Sequence, residues 1–260
     1  MNQNNTMNRL SYVMLAVAGF LFVLVIWSLL TYTGIVSPLF LPTPTQVLYS
    51  LSLLFFDENL INDVGASIVR ILLGFLISVI ISLPLGFAIA LYRNFEAFAE
   101  PLIDFIRHIP PSAFIPLSLI WFGIDQTQKV SILVIGIAPY LTLLVADAVA
   151  RVPRSYTDVF QTLGANRFQL ITRVIFPYAL PSIWNAMRLM LGAAWTFVVI
   201  AEIVGASSGL GHRMIEAERY LRTDQIFAVI IVIGCLGFVT DYLFKLGHTR
   251  LFPWATKSDV

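Results

Sequence analysis

Charge is what this sequence has least of. Asp, Glu, Lys and Arg make up 12% of its 260 residues, about half the ~25% of an ordinary soluble domain. Hydrophobic residues make up 58%, so the deficit implies that lipid is most of its solvent. The formal net charge is +1, which leaves no bulk basic surface for nucleic acid. Cysteine occurs once, at Cys235 in an apolar run. No disulfide framework or cysteine metal cluster forms from one thiol, and this one reads as a small apolar filler. His108, His212 and His248 are far apart, and no metal site is expected from them. The sequence has no GxxxxGK(S/T) phosphate loop, no HExxH and no Ser-His-Asp order. Gly209-Leu210-Gly211 lacks the strand-helix setting of a dinucleotide fingerprint. An ATP-driven role therefore places the nucleotide on another subunit. The acids and histidines that a membrane enzyme would cluster at one face are also missing, so the chain does not read as an enzyme.

What is present is a series of long apolar runs. Leu10 to Leu30 supplies the ~20 residues a membrane helix requires. It is too long for a usual signal-peptide core and has no small-x-small cleavage site, so it reads as an uncleaved span. Pro38, Pro42 and Pro44 interrupt the hydrophobicity, and Thr45 to Phe56 reads as an amphipathic surface helix capped near Thr43 or Thr45. Further spans are predicted at 63–92, 101–122, 130–150, 178–204 and 225–246, with 93–100 as a short polar turn. The third is interrupted by Pro110, Pro111 and Pro116, and the fourth contains Pro139. Gly136 and Ala138, with Gly192, Ala193 and Ala194, are small residues suited to close helix approach. Gly205, Gly209 and Gly211 predict a tight turn beyond the fifth span. The organisation expected is an N-terminal span and connecting segment at 1–62, a transmembrane domain at 63–246 and a polar tail at 247–260.

Orientation follows from Lys and Arg. With the N-terminus inside, Arg9, Arg93, Arg151, Arg154, Arg167, Arg173, Lys245, Arg250 and Lys257 fall inside, and Lys129, Arg213, Arg219 and Arg222 outside. The balance favours cytoplasmic N- and C-termini. The loop from Arg151 to Pro177 is then cytoplasmic. Its apolar residues recur at helical spacing through Phe160 and Leu163, then Phe168, Ile171, Val174 and Ile175. Gly164 stands where a helix C-terminal glycine would, and Asn166 is placed to cap a second helix. A helix, a break and a helix at a membrane surface suit docking to a soluble partner.

Ionisable residues inside the spans are Arg70, Asp104, Arg107, Asp147, Arg188, Glu202 and Asp241, each costly at the bilayer centre by ~2.5–3.5 kcal/mol on insertion scales. Each has a bland reading as a span-end or bundle pair, and Asp104 and Arg107 are spaced to pair on one helix. Arg107 and His108 also sit beside the break at Pro110, where freed backbone donors and a cation together face an anion. Arg188 is the next candidate for the substrate pathway. Glu202 would repel an anion and reads as a gate or a bundle pair.

The run Asp158 to Ala165, followed by Pro177 and Pro181, resembles the "EAA" loop of bacterial ABC importer permeases, with Asp158, Val159 and Phe160 standing where that pattern reads Glu-Ala-Ala. LPTPTQVL at 41–48, RHIPPSAFIPLSLIWFGI at 107–124 and AEIVGASSGLGH at 201–212 resemble the nitrate, sulfonate and taurine branch of that family. The resemblance covers 34–254. It implies an all-α integral membrane protein of the bacterial cytoplasmic (inner) membrane, with the six-span type I importer bundle. It implies a permease homodimer with two ATP-binding cassette subunits at its cytoplasmic face, where ATP and Mg are bound. It also implies a periplasmic or lipid-anchored solute-binding protein outside. Coupling to the ATPase would fall to Asp158, Thr162, Leu163, Gly164, Ala165 and Pro177. The implied cargo is a small oxyanion, taurine or another alkanesulfonate first, with nitrate, bicarbonate or a pyrimidine precursor behind. A self-sufficient secondary transporter or channel is the alternative of a different class. It would want an internal inverted repeat, which is not visible here.

Overall fold

The computed structural model describes residues 9–56 and 58–255. Lys257 and the rest of the tail beyond 255 lie outside the described residues. Among those described, all regular structure is helical. The described residues fall into two compact units, one within 1–60 and 214–231 and the other within 61–213 and 232–260.

In the first unit, α1 (Arg9–Tyr32) is apolar all round, and α2 (Pro44–Phe56) buries Val47, Ser50 and Leu54. The cap of α2 is Thr43. Its hydroxyl accepts from the Gln46 N–H at 3.3 Å, while its own N–H donates to Gln46 Oε1 at 2.9 Å. Pro44 follows as the first helical residue, where a missing N–H costs nothing. Ser50 donates to Asp224, and Trp27 stacks on Phe227 with centroids 5.9 Å apart.

The second unit begins at Ile61, one residue into α3 (Leu60–Leu91). After a one-residue interruption at Tyr92 the chain turns back as α4 (Arg93–Arg107). The expected polar turn at 93–100 is thus helical. Tyr92 is extended at φ −125°, ψ 101°, and its carbonyl takes the N–H groups of Phe95 and Glu96, so the helix restarts at once. The expected third span is also not one helix. α4 stops at its cap, His108, and Pro110 is extended at ψ 131°. A one-turn 3₁₀ segment (Pro111–Phe114) and α5 (Ile115–Phe122) follow. Two adjacent prolines deny the helix its donors, and the second pushes the first out of the helical region. Among the described residues, five helices are therefore long and apolar enough to cross a membrane: α1, α3, α6 (Gln126–Ala150), the run ending in α9 (Phe176–Ile203) and α11 (Thr223–Leu251). The broken segment still runs the length of α6. Glu96 and Glu100 share a cavity with Ile89 and Ala150, whereas Ile124 lies beside Lys129 at the opposite end of α6.

The core of this unit is α6 against α9, with α3 behind. Ile132, Leu133, Ile137, Leu141, Val145, Ala194, Val198 and Ala201 are buried. Gly74 and Gly86 allow α3 this close: a Cβ on either would strike Leu133 or Val145. Gly136 plays the same part against Phe197 and Pro111, and Ala138 and Ala194 are buried as the small-residue reading expects. Gly192 departs from that reading, since it is exposed with open space where a side chain would stand. Cys235 is likewise exposed rather than packed. Trp184 and Trp195, apolar bodies inside a span, satisfy their N–H groups on Phe244 O at 2.9 Å and Thr240 Oγ1 at 3.2 Å.

Candidate coupling loop and translocation path

Between α6 and α9 the chain forms two short helices. α7 (Arg154–Thr162) ends at Leu163, and Gly164 takes φ +81°. There the Gly164 N–H donates to Gln161 O at 2.9 Å and the Ala165 N–H to Phe160 O at 3.0 Å, closing the helix end. A left-handed φ favours glycine. Open space surrounds the missing Cβ, so in this chain the requirement is conformational and not steric. Asn166 then caps α8 (Arg167–Leu170) in a reciprocal capping box. Its Oδ1 accepts from the Gln169 N–H at 2.8 Å, and its own N–H donates to Gln169 Oε1 at 3.0 Å.

From α8 the chain widens into a π-helical turn (Ile171–Ile175) before α9. Pro177 has no N–H for the carbonyl of Arg173, and a proline ring crowds that carbonyl in a regular helix. The wide turn falls where that conflict arises. Pro177 is exposed in the first turn of α9, while Pro181 is buried within it. Asp158, Thr162, Leu163 and Gly164 are exposed, and Ala165 is partly so. Val159, Leu163 and Phe168 present bare apolar surface on this loop. On the same loop Phe160 and Ile171 are partly covered, and Val174 and Ile175 are buried.

The pathway candidates divide into an exposed set and a buried one. Arg107 Nε donates to Asp104 Oδ1 at 2.7 Å, and Nη2 reaches the same oxygen at 2.5 Å. The guanidinium lies 5.9 Å from the ring centroid of Tyr140. It lines a cleft of ≈ 540 Å³ with Leu143, Asp147, Leu189 and Gly192. His108 is exposed with Nδ1 2.6 Å from Asp104 O, and Pro110 is exposed at the break. Arg188 is engaged elsewhere, by Asp241 at 2.5 and 3.1 Å. Asp241 is therefore a bundle pair, held also by Lys245 at 3.6 Å.

Glu202 is a bundle pair at the opposite end of the unit. It is 0% exposed and meets Arg70, 3% exposed, at 2.6 Å. Ser67 Oγ donates to it at 2.8 Å, and the Gly211 N–H at 2.9 Å. Arg70 reaches onward to Gln126 Oε1 at 2.6 Å and to Ser208 O at 2.7 Å. Asp63 accepts from the Gly209 N–H at 2.8 Å and pairs with Arg213 at 2.8 Å. Gly209, at φ +113°, lies so near both Arg70 and Glu202 that a Cβ would overlap them. The tight turn expected from Gly205, Gly209 and Gly211 is thus wrapped around this carboxylate, tying α3 to the end of α9 and the start of α10 (Leu210–Arg219).

Sequence reasoning missed the partners of Glu202. A signal existed: Asp63, Ser67, Arg70, Gly74, Ser78 and Ser82 recur at steps of three or four on α3, one face of a helix. All the polar members of that stripe are buried. Tyr140 and Leu189, which line the cleft, carried no motif.

Residues 82–253 match the family model described as the binding-protein-dependent transport system inner membrane component. The taurine transport system permease protein TauC of Escherichia coli (strain K12) is 34% identical over 93% of this chain and 90% of its own length. The bicarbonate transport system permease protein CmpB of Synechococcus elongatus is 30% identical over 90% of this chain and 87% of its own. In fold, the chain resembles a subunit of the inward-facing MetNI methionine ABC transporter, with TM-score 0.64 at 22% identity over 77% of this chain and 98% of that one. The family model covers most of the chain and TauC almost all of it, and the chain belongs to the inner membrane permease family of binding-protein-dependent ABC importers.

Proposed function

We propose that this permease carries a small oxyanion, taurine or another alkanesulfonate before nitrate, bicarbonate or a pyrimidine precursor. The observation that carries the reading is the similarity to TauC over almost the full length of both chains. The cleft beside Arg107 supports it, since it offers a guanidinium, the group suited to sulfonate oxygens, among mostly apolar residues, with Tyr140 and Asp147 as its other polar lining. The bicarbonate permease match keeps that anion behind the sulfonates.

ATP and Mg are bound by a partner ATPase, two copies of which dock on the α7–α8 loop of a permease homodimer. The bare apolar side chains Val159, Leu163 and Phe168 supply what a docking surface needs and what a solvent-facing connector does not. Asp158, Thr162, Gly164, Ala165 and Pro177 shape that surface. Closure of the ATPases on ATP draws the loops together and opens the path outward, and hydrolysis resets it inward. A periplasmic or lipid-anchored binding protein delivers the solute at the end where Glu202 lies. Both termini are cytoplasmic, on the Lys and Arg balance.

The substrate reading is tested with proteoliposomes containing the permease, its ATPase and its binding protein. Labelled taurine uptake is challenged with ethanesulfonate, nitrate and bicarbonate. Taurine uptake blocked by ethanesulfonate and untouched by the inorganic anions is the expected result. Uptake of bicarbonate or nitrate without uptake of either sulfonate overturns it.

A further inference from the structure

The cleft that holds Arg107 also holds Asp147, and no feature of the coupling loop or of the Glu202 cluster involves that acid. Asp147 lies on α6 two turns beyond Tyr140, so both project onto the same side of the helix. Its carboxylate has no ion pair or hydrogen bond among the described residues, and it is exposed to the cleft. It also faces a smaller cavity of ≈ 260 Å³ that Arg107, Asp104, Glu96 and Glu100 line. Arg107 already spends Nε and Nη2 on Asp104, which leaves its Nη1 edge for a ligand.

This is an odd setting for a bare monoanion. Around the guanidinium stand Asp104, which half-neutralises it, and Asp147, which repels a negative ligand. The acids of α4 add to that repulsion. A ligand carrying one charge of each sign meets no such penalty. Resting on the sulfonate reading above, we propose that the cleft between α4, α6 and α9 selects a zwitterion, with Arg107 meeting the sulfonate and Asp147 meeting an ammonium. Asp147 is then a specificity-determining residue that separates an aminosulfonate from a plain alkanesulfonate.

The cleft, of ≈ 540 Å³, has room for a two-carbon aminosulfonate with Arg107 and Asp147 both in its lining. The wall between the two ends is Leu143, Leu144 and Leu189, apolar as the connecting methylenes require.

The test is equilibrium binding of labelled taurine and of labelled ethanesulfonate to the purified permease–ATPase complex, without the binding protein, so that the preference measured is the permease's own. Ethanesulfonate lacks only the amino group. A hydrogen bond to a charged group gives about tenfold or more in affinity. The wild-type complex is expected to bind taurine at least about tenfold more tightly. Asp147→Asn is expected to abolish that preference while ethanesulfonate binding holds or improves, and Asp147→Glu to retain most of it. Two outcomes overturn the inference alone: equal affinities in the wild-type complex, or an undiminished taurine preference in Asp147→Asn. Binding of bicarbonate or nitrate with neither sulfonate bound overturns the substrate reading, and this inference with it.

Discussion

A Glu202→Ala variant leaves the guanidinium of Arg70 3% exposed and takes away the carboxylate 2.6 Å from it. No other acid among the described residues is paired with Arg70, whose remaining contacts are Gln126 and Ser208. Removing one partner of a buried ion pair costs about 3–5 kcal/mol, because the other charge stays buried and uncompensated. The Ser67 hydroxyl and the Gly211 N–H lose their acceptor at the same time. Each such orphaned group costs about 1–3 kcal/mol on its own, so the upper part of the first range is expected. The control is the Asp104–Arg107 pair, 46% and 36% exposed. An exposed pair contributes at most about 1 kcal/mol, so Arg107→Ala should barely move stability. Glu202→Gln keeps an acceptor for Ser67 and Gly211 and should fall between. Unfolding of the purified protein in mixed micelles by added SDS, followed by circular dichroism, ranks all three. If Glu202→Ala unfolds within about 1 kcal/mol of wild type, or if Arg107→Ala costs as much, the cluster does not hold the end of α9 as argued.

Other outcomes follow from the same geometry. Gly164→Leu should insert and fold normally but hydrolyse ATP without transporting, because its φ of +81° is a conformation a leucine rarely adopts; uptake at the wild-type rate in the reconstituted complex contradicts the role given to that turn. A cysteine placed at Arg219 should be labelled by an impermeant reagent from outside and one at Asn166 should not; the reverse pattern removes both the orientation and the cytoplasmic position of the loop. Arg107→Ala should abolish uptake while the ATPase still docks, and Asp104→Ala added to it should not restore transport. Rescue by the double variant reduces Arg107 to a neutraliser of Asp104.

The loop between α6 and α9 was the most legible part of this molecule, for a physical reason. Helix ends are written in local chemistry, and the glycine at Gly164, the reciprocal cap of Asn166 with Gln169 and the start of α2 at Thr43 all act within four residues. The π turn before Pro177 was not legible, because a proline declares a conflict and not the way the backbone resolves it. The restart at Tyr92 was hidden similarly: the polar run of α4 looks like a turn until one sees that Glu96, Glu100 and Asp104 share one face over a cavity. Pairings between helices were least legible. Arg70, Arg188, Glu202 and Asp241 were all visible as costly charges, yet which acid meets which base depends on how each helix is rotated, and the sequence encodes that only through weak stripes such as the polar face of α3. The exposure of Gly192 and Cys235 belongs to the same class, since small residues in a span read alike whether they face a neighbour or the outside.

The central claim is that this chain is the passive, membrane-spanning half of an ATP-driven importer. Uptake of labelled taurine into proteoliposomes measures it directly, with the permease reconstituted alone, with its ATPase, and with its ATPase and binding protein, each with and without Mg-ATP. The account predicts accumulation above the external concentration only in the complete system with Mg-ATP. Accumulation by the permease alone, driven by an ion gradient and indifferent to ATP, would contradict it.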